Sequence, residues 1–143
     1  MKMLLLGDIC PTEVTDPLFA EKKIDELFTD TVGLFKGNDF NFVNLECAIT
    51  NSDKGIEKFG PCLKASEGTA DTLKALGVDC CGLSNNHIFD FGKKGVADTL
   101  KALKRVGIAY TGFGNNYNDS RKDFVVDKNG EKVRSEEHTS ELQ

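Results

Sequence analysis

The sequence has no tryptophan, three prolines and two methionines, and of its two histidines only His87 lies in the first 133 of 143 residues. No Cys-x-x-Cys pair occurs among the five cysteines, Cys10, Cys47, Cys62, Cys80 and Cys81. An odd number without paired spacing argues against a disulfide framework and for a reducing compartment. No apolar run is long enough to span a bilayer, so no membrane segment is expected. Met1-Lys2-Met3-Leu4-Leu5-Leu6 begins like a signal peptide, but the apolar run stops at Gly7-Asp8. That is too short for a signal-peptide core, so a first strand and a cytoplasmic location are expected. A basic excess is missing as well: the net charge is −5, which speaks against nucleic acid as a partner. What remains, 39% hydrophobic and 29% charged residues, is the composition of one globular domain with one core.

Lys2 to Leu6 reads as a strand buried on both faces. Pro11 and Pro17 keep the next stretch out of helix, and Phe19, Ile24, Leu27 and Phe28 then recur near the helical period. A helix from about Leu18 to Phe35 is expected, with a break near Thr31 to Gly33. Gly37-Asn38-Asp39 stops it. Phe40 to Leu45 is the second strand, and Thr50 to Pro61 a long loop. Ser66 is the expected N-cap of a helix that Gly77 ends. Val78 to Leu83 is the third strand, Lys93 to Val106 an amphipathic helix, and Ile108 to Thr111 the fourth strand. Phe113 to Arg121 reads as a loop, followed by a hairpin around Asp127-Lys128-Asn129-Gly130. Asp71-Thr72-Leu73-Lys74-Ala75-Leu76 recurs as Asp98-Thr99-Leu100-Lys101-Ala102-Leu103, each copy leading through glycine to an apolar strand. Strands alternating with helices give an α/β fold with a parallel sheet.

Residues 134–143 differ from everything before them. They hold one large apolar residue and no period, and the string resembles the translation of a sequencing-library adapter. The domain is therefore taken as residues 1–133, with 134–143 a non-native tail that contributes nothing to the fold.

The stretch that carries chemistry is Leu83-Ser84-Asn85-Asn86-His87-Ile88-Phe89-Asp90-Phe91-Gly92, between the third strand and the helix after it. Ligands in open α/β sheets bind at the carboxyl ends of strands. Asn86 offers an amide oxygen to a hard cation. His87 can move a proton near neutral pH, and Asp90 can orient it or cap the next helix. Asp8 ends the first strand and Glu46 follows the second, so three strand ends on one edge carry ligand-type residues. Two carboxylates and an amide oxygen suit Mg²⁺, Mn²⁺ or Fe better than a structural zinc. A pair of such ions would activate water and hold a phosphoryl group, with His87 protonating the leaving oxygen or stabilising charge on the phosphate. The partner would then be a small-molecule or polymer substrate carrying a phosphate.

Gly7-Asp8-Ile9, Asn44-Leu45-Glu46 and Asn85-Asn86-His87-x-x-Asp90-x-Gly92, with Gly107-Ile108-Ala109 and Gly112-x-Gly114 after them, resemble the CapA family of poly-γ-glutamate capsule biosynthesis proteins. That family is a branch of the calcineurin-like metallophosphoesterases. The resemblance covers about residues 3 to 115. It implies the N-terminal part of a four-layer α/β/β/α sandwich. It places Asp8, Glu46 and Asn86 at metal positions, for two divalent ions (Mn, Mg, Fe or Zn) in the complete protein. It places His87 at the catalytic histidine and Asp90 at the motif aspartate behind it. It also implies, as an alternative to the cytoplasm, the cell envelope where anchored relatives sit. Two departures stand out. The superfamily's first-motif histidine is replaced by Cys10, and the later histidine motifs have no counterpart here. These residues alone are therefore expected to be inactive. A non-catalytic role in assembling the polymer is the alternative to catalysis.

Overall fold

The structure, a computed structural model, describes residues 1–114 and 116–135. Strand β1 (Met3–Ile9) is followed by the short helices α1 (Asp16–Ala20) and α2 (Ile24–Phe28) and a 3-10 segment at Thr29–Phe35. Strand β2 (Phe40–Leu45) leads into β3 (Ala48–Ile49), a long connection, and β4 (Lys64–Ala65). Then come α3 (Gly68–Leu76), β5 (Cys80–Gly82), α4 (Gly92–Val106), β6 (Ala109–Thr111) and α5 (Tyr117–Ser120). The hairpin β7 (Phe124–Lys128) and β8 (Glu131–Ser135) closes the described chain.

The fold is α/β, as expected. β1, β2, β5 and β6 form one sheet in that order, every pair parallel. Its interior strands turn Val43, Leu45 and Cys81 to one face, where with Leu83 they are buried in a core that Leu73, Val78, Val96, Leu103 and Ile108 complete. Helices α1, α3 and α4 lie side by side. Gly68 sits where an added Cβ would come 2.8 Å from Ala20 Cα, so α1 and α3 touch almost backbone to backbone. Arg105 reaches from α4 to Asp71 on α3 at 2.6 Å. The two echo segments fall on α3 and α4, and both helices end on left-handed glycines, Gly77 at φ 97° and Gly107 at φ 69°.

Several expectations need correction. β1 is an edge strand, and Leu5 is 67% exposed, so the first strand is not buried on both faces. The helix expected over residues 18–35 is three pieces, with left-handed backbone at Lys22 (φ 58°) and Thr29 (φ 45°). The aromatic side chains explain the folding back. Phe19 meets Phe28 edge-on at 5.9 Å, and Phe28 meets Phe35 at 6.0 Å. In one unbroken helix Phe19 and Phe28 would stand ~13 Å apart along the axis, so the breaks are what let them pack. Ser66 is not the N-cap of α3. Glu67 holds that place without a side-chain cap, and the Ser66 backbone N–H instead donates to Asp16 Oδ1 at 2.8 Å. The small parallel pair β3–β4, which flanks the stretch read as a long loop, was not expected, and the single-turn α5 lies in a stretch read as loop. Of the tail set apart from the domain, Arg134 and Ser135 pair with Val125 and Phe124 at the end of β8. Residues 136–143 lie outside the described residues.

Candidate functional site

The carboxyl ends of β1, β2 and β5 do come together on one edge. A bulge in β1 decides what meets there. Leu5 pairs with Phe42, but three residues later Asp8 pairs with Asn44, only two residues on in β2. Without the extra residue Asp8 would stand opposite Leu45 and face the other way. Bulges commonly re-aim a side chain in this manner. Here the result is that Asn44 Nδ2 donates to Asp8 Oδ1 at 2.7 Å and to Glu46 Oε2 at 3.4 Å. Asn44 and Glu46, two residues apart on an extended segment, share a face.

The two carboxyl groups share the Asn44 amide and shift one another's acidity in opposite directions. The Asn44 amide and the bond from Glu46 hold Asp8 below its usual range. The bond to Asp8, partial burial and the Asp8 charge raise Glu46 above its own. Each acid thus presses on the other, and a divalent cation between them would relieve that repulsion.

The loop after β5 is pinned by its first amide. Asn85 Oδ1 accepts from the backbone N–H groups of His87 (3.1 Å) and Ile88 (3.0 Å), while Asn85 Nδ2 donates to Leu45 O (2.9 Å) and Asn44 Oδ1 (3.2 Å). Such a side-chain-to-backbone turn is what asparagine favours. It carries His87 to the β2 end, where Nε2 lies 4.0 Å from Glu46 Oε1. On the far side of the ring, Nδ1 lies 2.7 Å from Asp90 Oδ2.

Asp90 is fully buried. It caps nothing: Phe91 is the N-cap of α4 and has no side-chain cap bond. Its Oδ2 also accepts from Leu63 N–H at 2.7 Å, and its Oδ1 takes a hydrogen bond from Lys58 Nζ at 2.5 Å. Burial pushes its pKa up, but the bonds from Lys58, His87 and Leu63 prevail, and the carboxyl stays below its ordinary range.

Of the residues singled out in the sequence, Asp8, Glu46, His87 and Asp90 are thus linked in one chain of contacts. Asn86 is exposed, and no hydrogen bond of its side chain occurs among the described residues. Among those residues no group of three or more His, Cys, Asp and Glu side chains is arranged to hold a metal ion. Two of the three expected ligands therefore converge, with oxygen chemistry that fits a hard cation. The bond with Cys47 lowers the Cys10 pKa, against burial and the charges of Glu46, Asp8 and Asp90, and the same bond raises that of Cys47. All five cysteines are free thiols. No helix among the described residues is long and apolar enough to cross a membrane.

Sequence reading missed Lys58, which lay in a charge-rich loop. The available signal was Asp90 itself: an acid set among Ile88, Phe89 and Phe91 is bound for the interior and needs a cation there.

Residues 2–141 match the family described as bacterial capsule synthesis protein PGA_cap. The chain belongs to this family. It is 29% identical over 141 residues to the capsule biosynthesis protein CapA of Bacillus anthracis, covering 93% of this chain and 33% of that protein. It is 34% identical over 88 residues to a probable polyglutamine synthesis accessory protein of Mycobacterium tuberculosis, covering 62% of this chain and 23% of that protein. It is 24% identical over 129 residues to the PGA biosynthesis protein CapA of Bacillus subtilis, covering 86% and 33%. The chain thus spans a third or less of the length of these curated relatives.

Proposed function

We propose that the intact protein acts in synthesis of a poly-γ-glutamate capsule through a metal-dependent phosphoesterase-type site, built on an α/β/β/α sandwich of which these residues are the first part. The observation that supports this most is that Asp8 and Glu46, at adjacent strand ends, both accept from the Asn44 amide, with His87 Nε2 4.0 Å from Glu46. Asp8 and Glu46 would hold a divalent cation, with Asn86 as a further oxygen donor. When bound, such an ion supplies Lewis-acid activation of a phosphoryl oxygen.

This chain's own residues do the rest. Asp90 holds the His87 ring by Nδ1. His87, when protonated on both ring nitrogens, gives its Nε2 proton to the leaving oxygen of a phosphorylated small molecule or polymer as the P–O bond breaks, and keeps its Nδ1 proton on Asp90. Two acids and an amide are too few oxygens for two ions, so the 143 residues alone are inactive in this reading. The five free thiols favour a reducing compartment, the cytoplasm.

The test is Mn²⁺ binding by calorimetry on the intact protein, together with hydrolysis of an activated phosphodiester. His87→Ala is expected to lower kcat by about 10²-fold or more, the usual worth of a general acid, while Mn²⁺ still binds. Unchanged hydrolysis in that variant would overturn the catalytic role. A second reading, a non-catalytic assembly component, is favoured by the lack of a three-residue His, Cys, Asp and Glu cluster among the described residues. Capsule function that survives Asp8→Ala and Glu46→Ala together would select it.

A further inference from the structure

The connection between β3 and β4 is fastened to the site at three separate residues, all on Asp90. Ile56 N–H donates to the Asp90 backbone oxygen at 2.8 Å. Lys58 Nζ binds Oδ1, and Leu63 N–H donates to Oδ2. The loop lies close against this acid. A Cβ added at Gly55 would stand 2.9 Å from Cys62 Sγ and 3.6 Å from the Asp90 backbone oxygen. Lys58 is no solvated surface cation: its side chain is 19% exposed, and Nζ stands 3.2 Å from His87 Nδ1. An ammonium only donates, so it competes for Nδ1, but Nζ is nearer to Asp90 Oδ1 and Nδ1 is nearer to Asp90 Oδ2, at 2.7 Å.

The carboxylate has two oxygens and a division of labour. Lys58 occupies Oδ1, so Oδ2 is left for Leu63 N–H and the imidazole. A buried carboxylate without Lys58 would have one oxygen bare of donors and would turn to find some.

We infer that Lys58 is a positioning residue for His87: it locks the Asp90 carboxylate so that Oδ2 accepts the Nδ1–H proton and Nε2 is left facing Glu46. The inference deepens the reading above and rests on it for the role of His87. The geometric claim itself concerns only which ring nitrogen carries the proton. Second groups of this kind commonly set the tautomer of a functional histidine.

The test reads that tautomer directly. Long-range ¹H–¹⁵N imidazole spectra are recorded on the intact, chelator-treated protein at about pH 9, where an ordinary imidazole is neutral. The His87 signals are assigned by their loss in His87→Gln. In the wild type the proton is expected on Nδ1. In Lys58→Met the ratio of Nδ1–H to Nε2–H forms is expected to fall by about tenfold, the size of one hydrogen bond to a charged group. Lys58→Arg, which keeps the cation, is expected to retain the Nδ1–H form.

An unchanged or higher ratio in Lys58→Met would overturn the inference, and so would loss of the Nδ1–H form in a folded Lys58→Arg. Should Lys58→Met fail to fold, Lys58→Gln is read by the same two outcomes. Failure of the functional reading is distinguishable. A protein that binds no Mn²⁺ and hydrolyses nothing sinks the phosphoesterase proposal and leaves the tautomer ratio standing.

Discussion

Asp90 and Glu46 face one imidazole from opposite sides, Asp90 Oδ2 at 2.7 Å from Nδ1 and Glu46 Oε1 at 4.0 Å from Nε2. The Asp90 side chain is 0% exposed and has donors from Lys58, Leu63 and His87. Glu46 is 23% exposed, and its amide donor, Asn44, is 3.4 Å away. Their acidities move in opposite directions for this reason, Asp90 down and Glu46 up. A carboxylate with a full set of donors is finished: it holds its neighbours in place and has nothing left to offer. The Glu46 and Asp8 side chains have one amide donor, Asn44, between two carboxyl groups. That is a poor arrangement for stability and a good one for accepting a cation. One side of His87 is a seat and the other is a working face.

The largest break in this contrast comes from emptying the seat. Asp90→Ala leaves the Lys58 ammonium half-buried without its partner and orphans the Leu63 N–H. It is expected to cost about 3–5 kcal/mol, as for one partner lost from a buried pair. Urea unfolding of the intact protein checks this, with a lower midpoint at unchanged slope. The pH dependence has a definite sign. Asp90 has a depressed native pKa, so its stabilisation is present above the unfolded carboxyl range, about pH 4, and is lost as pH falls through the lower native value. Asp90→Asn should therefore flatten the acid limb of a plot of stability against pH. An acid limb identical to that of the wild type would show that Asp90 is not the group responsible.

A middle-sized effect is expected at the residue that joins the two sides. Asn85 bonds to Leu45 and Asn44 on β2 with one end of its amide and to the His87 and Ile88 N–H groups with the other. Asn85→Ala is expected to cost about 1–3 kcal/mol through those unsatisfied groups. It should also speed hydrogen exchange at the His87 amide more than at core amides such as Val43. Equal changes at both would mean general loosening rather than release of the loop.

Much of this was legible in the sequence where a local rule applied. The echoed helices on α3 and α4 end on Gly77 and Gly107 because an apolar face must stop and the chain must turn left-handed before re-entering the sheet. The placing of Asp8, Glu46 and His87 at one sheet edge followed from strand–helix alternation alone. What was not legible depended on partners distant in sequence. The bulge that turns Asp8 toward Asn44 is a matter of register between two strands 36 residues apart. The breaks after Ala20 and at Thr29 answer to three phenylalanines finding one another. Lys58 is one of two lysines in its loop, and only folding brings it, 32 residues away in sequence, to Asp90. The exposure of Leu5 follows from β1 lying at the edge, which no pattern within Met3–Ile9 reveals.

The smallest expected change is also the one with the opposite sign. Glu46 has a raised native pKa, so the folded state binds its proton more tightly than the unfolded chain does. The sign follows from linkage: its stabilisation is present at low pH and is lost as pH rises through the raised value, which leaves a small cost at neutrality. Glu46→Gln keeps the shape and an oxygen acceptor while removing the charge that presses on Asp8. In chelator-treated protein at neutral pH it is therefore expected to leave the melting temperature unchanged or raise it slightly, by about 1 kcal/mol at most, the upper range for exposed charge pairs. In the presence of Mn²⁺ the order should reverse. The wild type would gain stability from the ion and Glu46→Gln would gain less, since ligand that binds only the native state stabilises by mass action. A residue that costs stability when empty and returns it when loaded is one kept for binding. If Glu46→Gln instead destabilised the metal-free protein as Asp90→Asn does, the two sides of His87 would be alike and Glu46 would be a second structural seat.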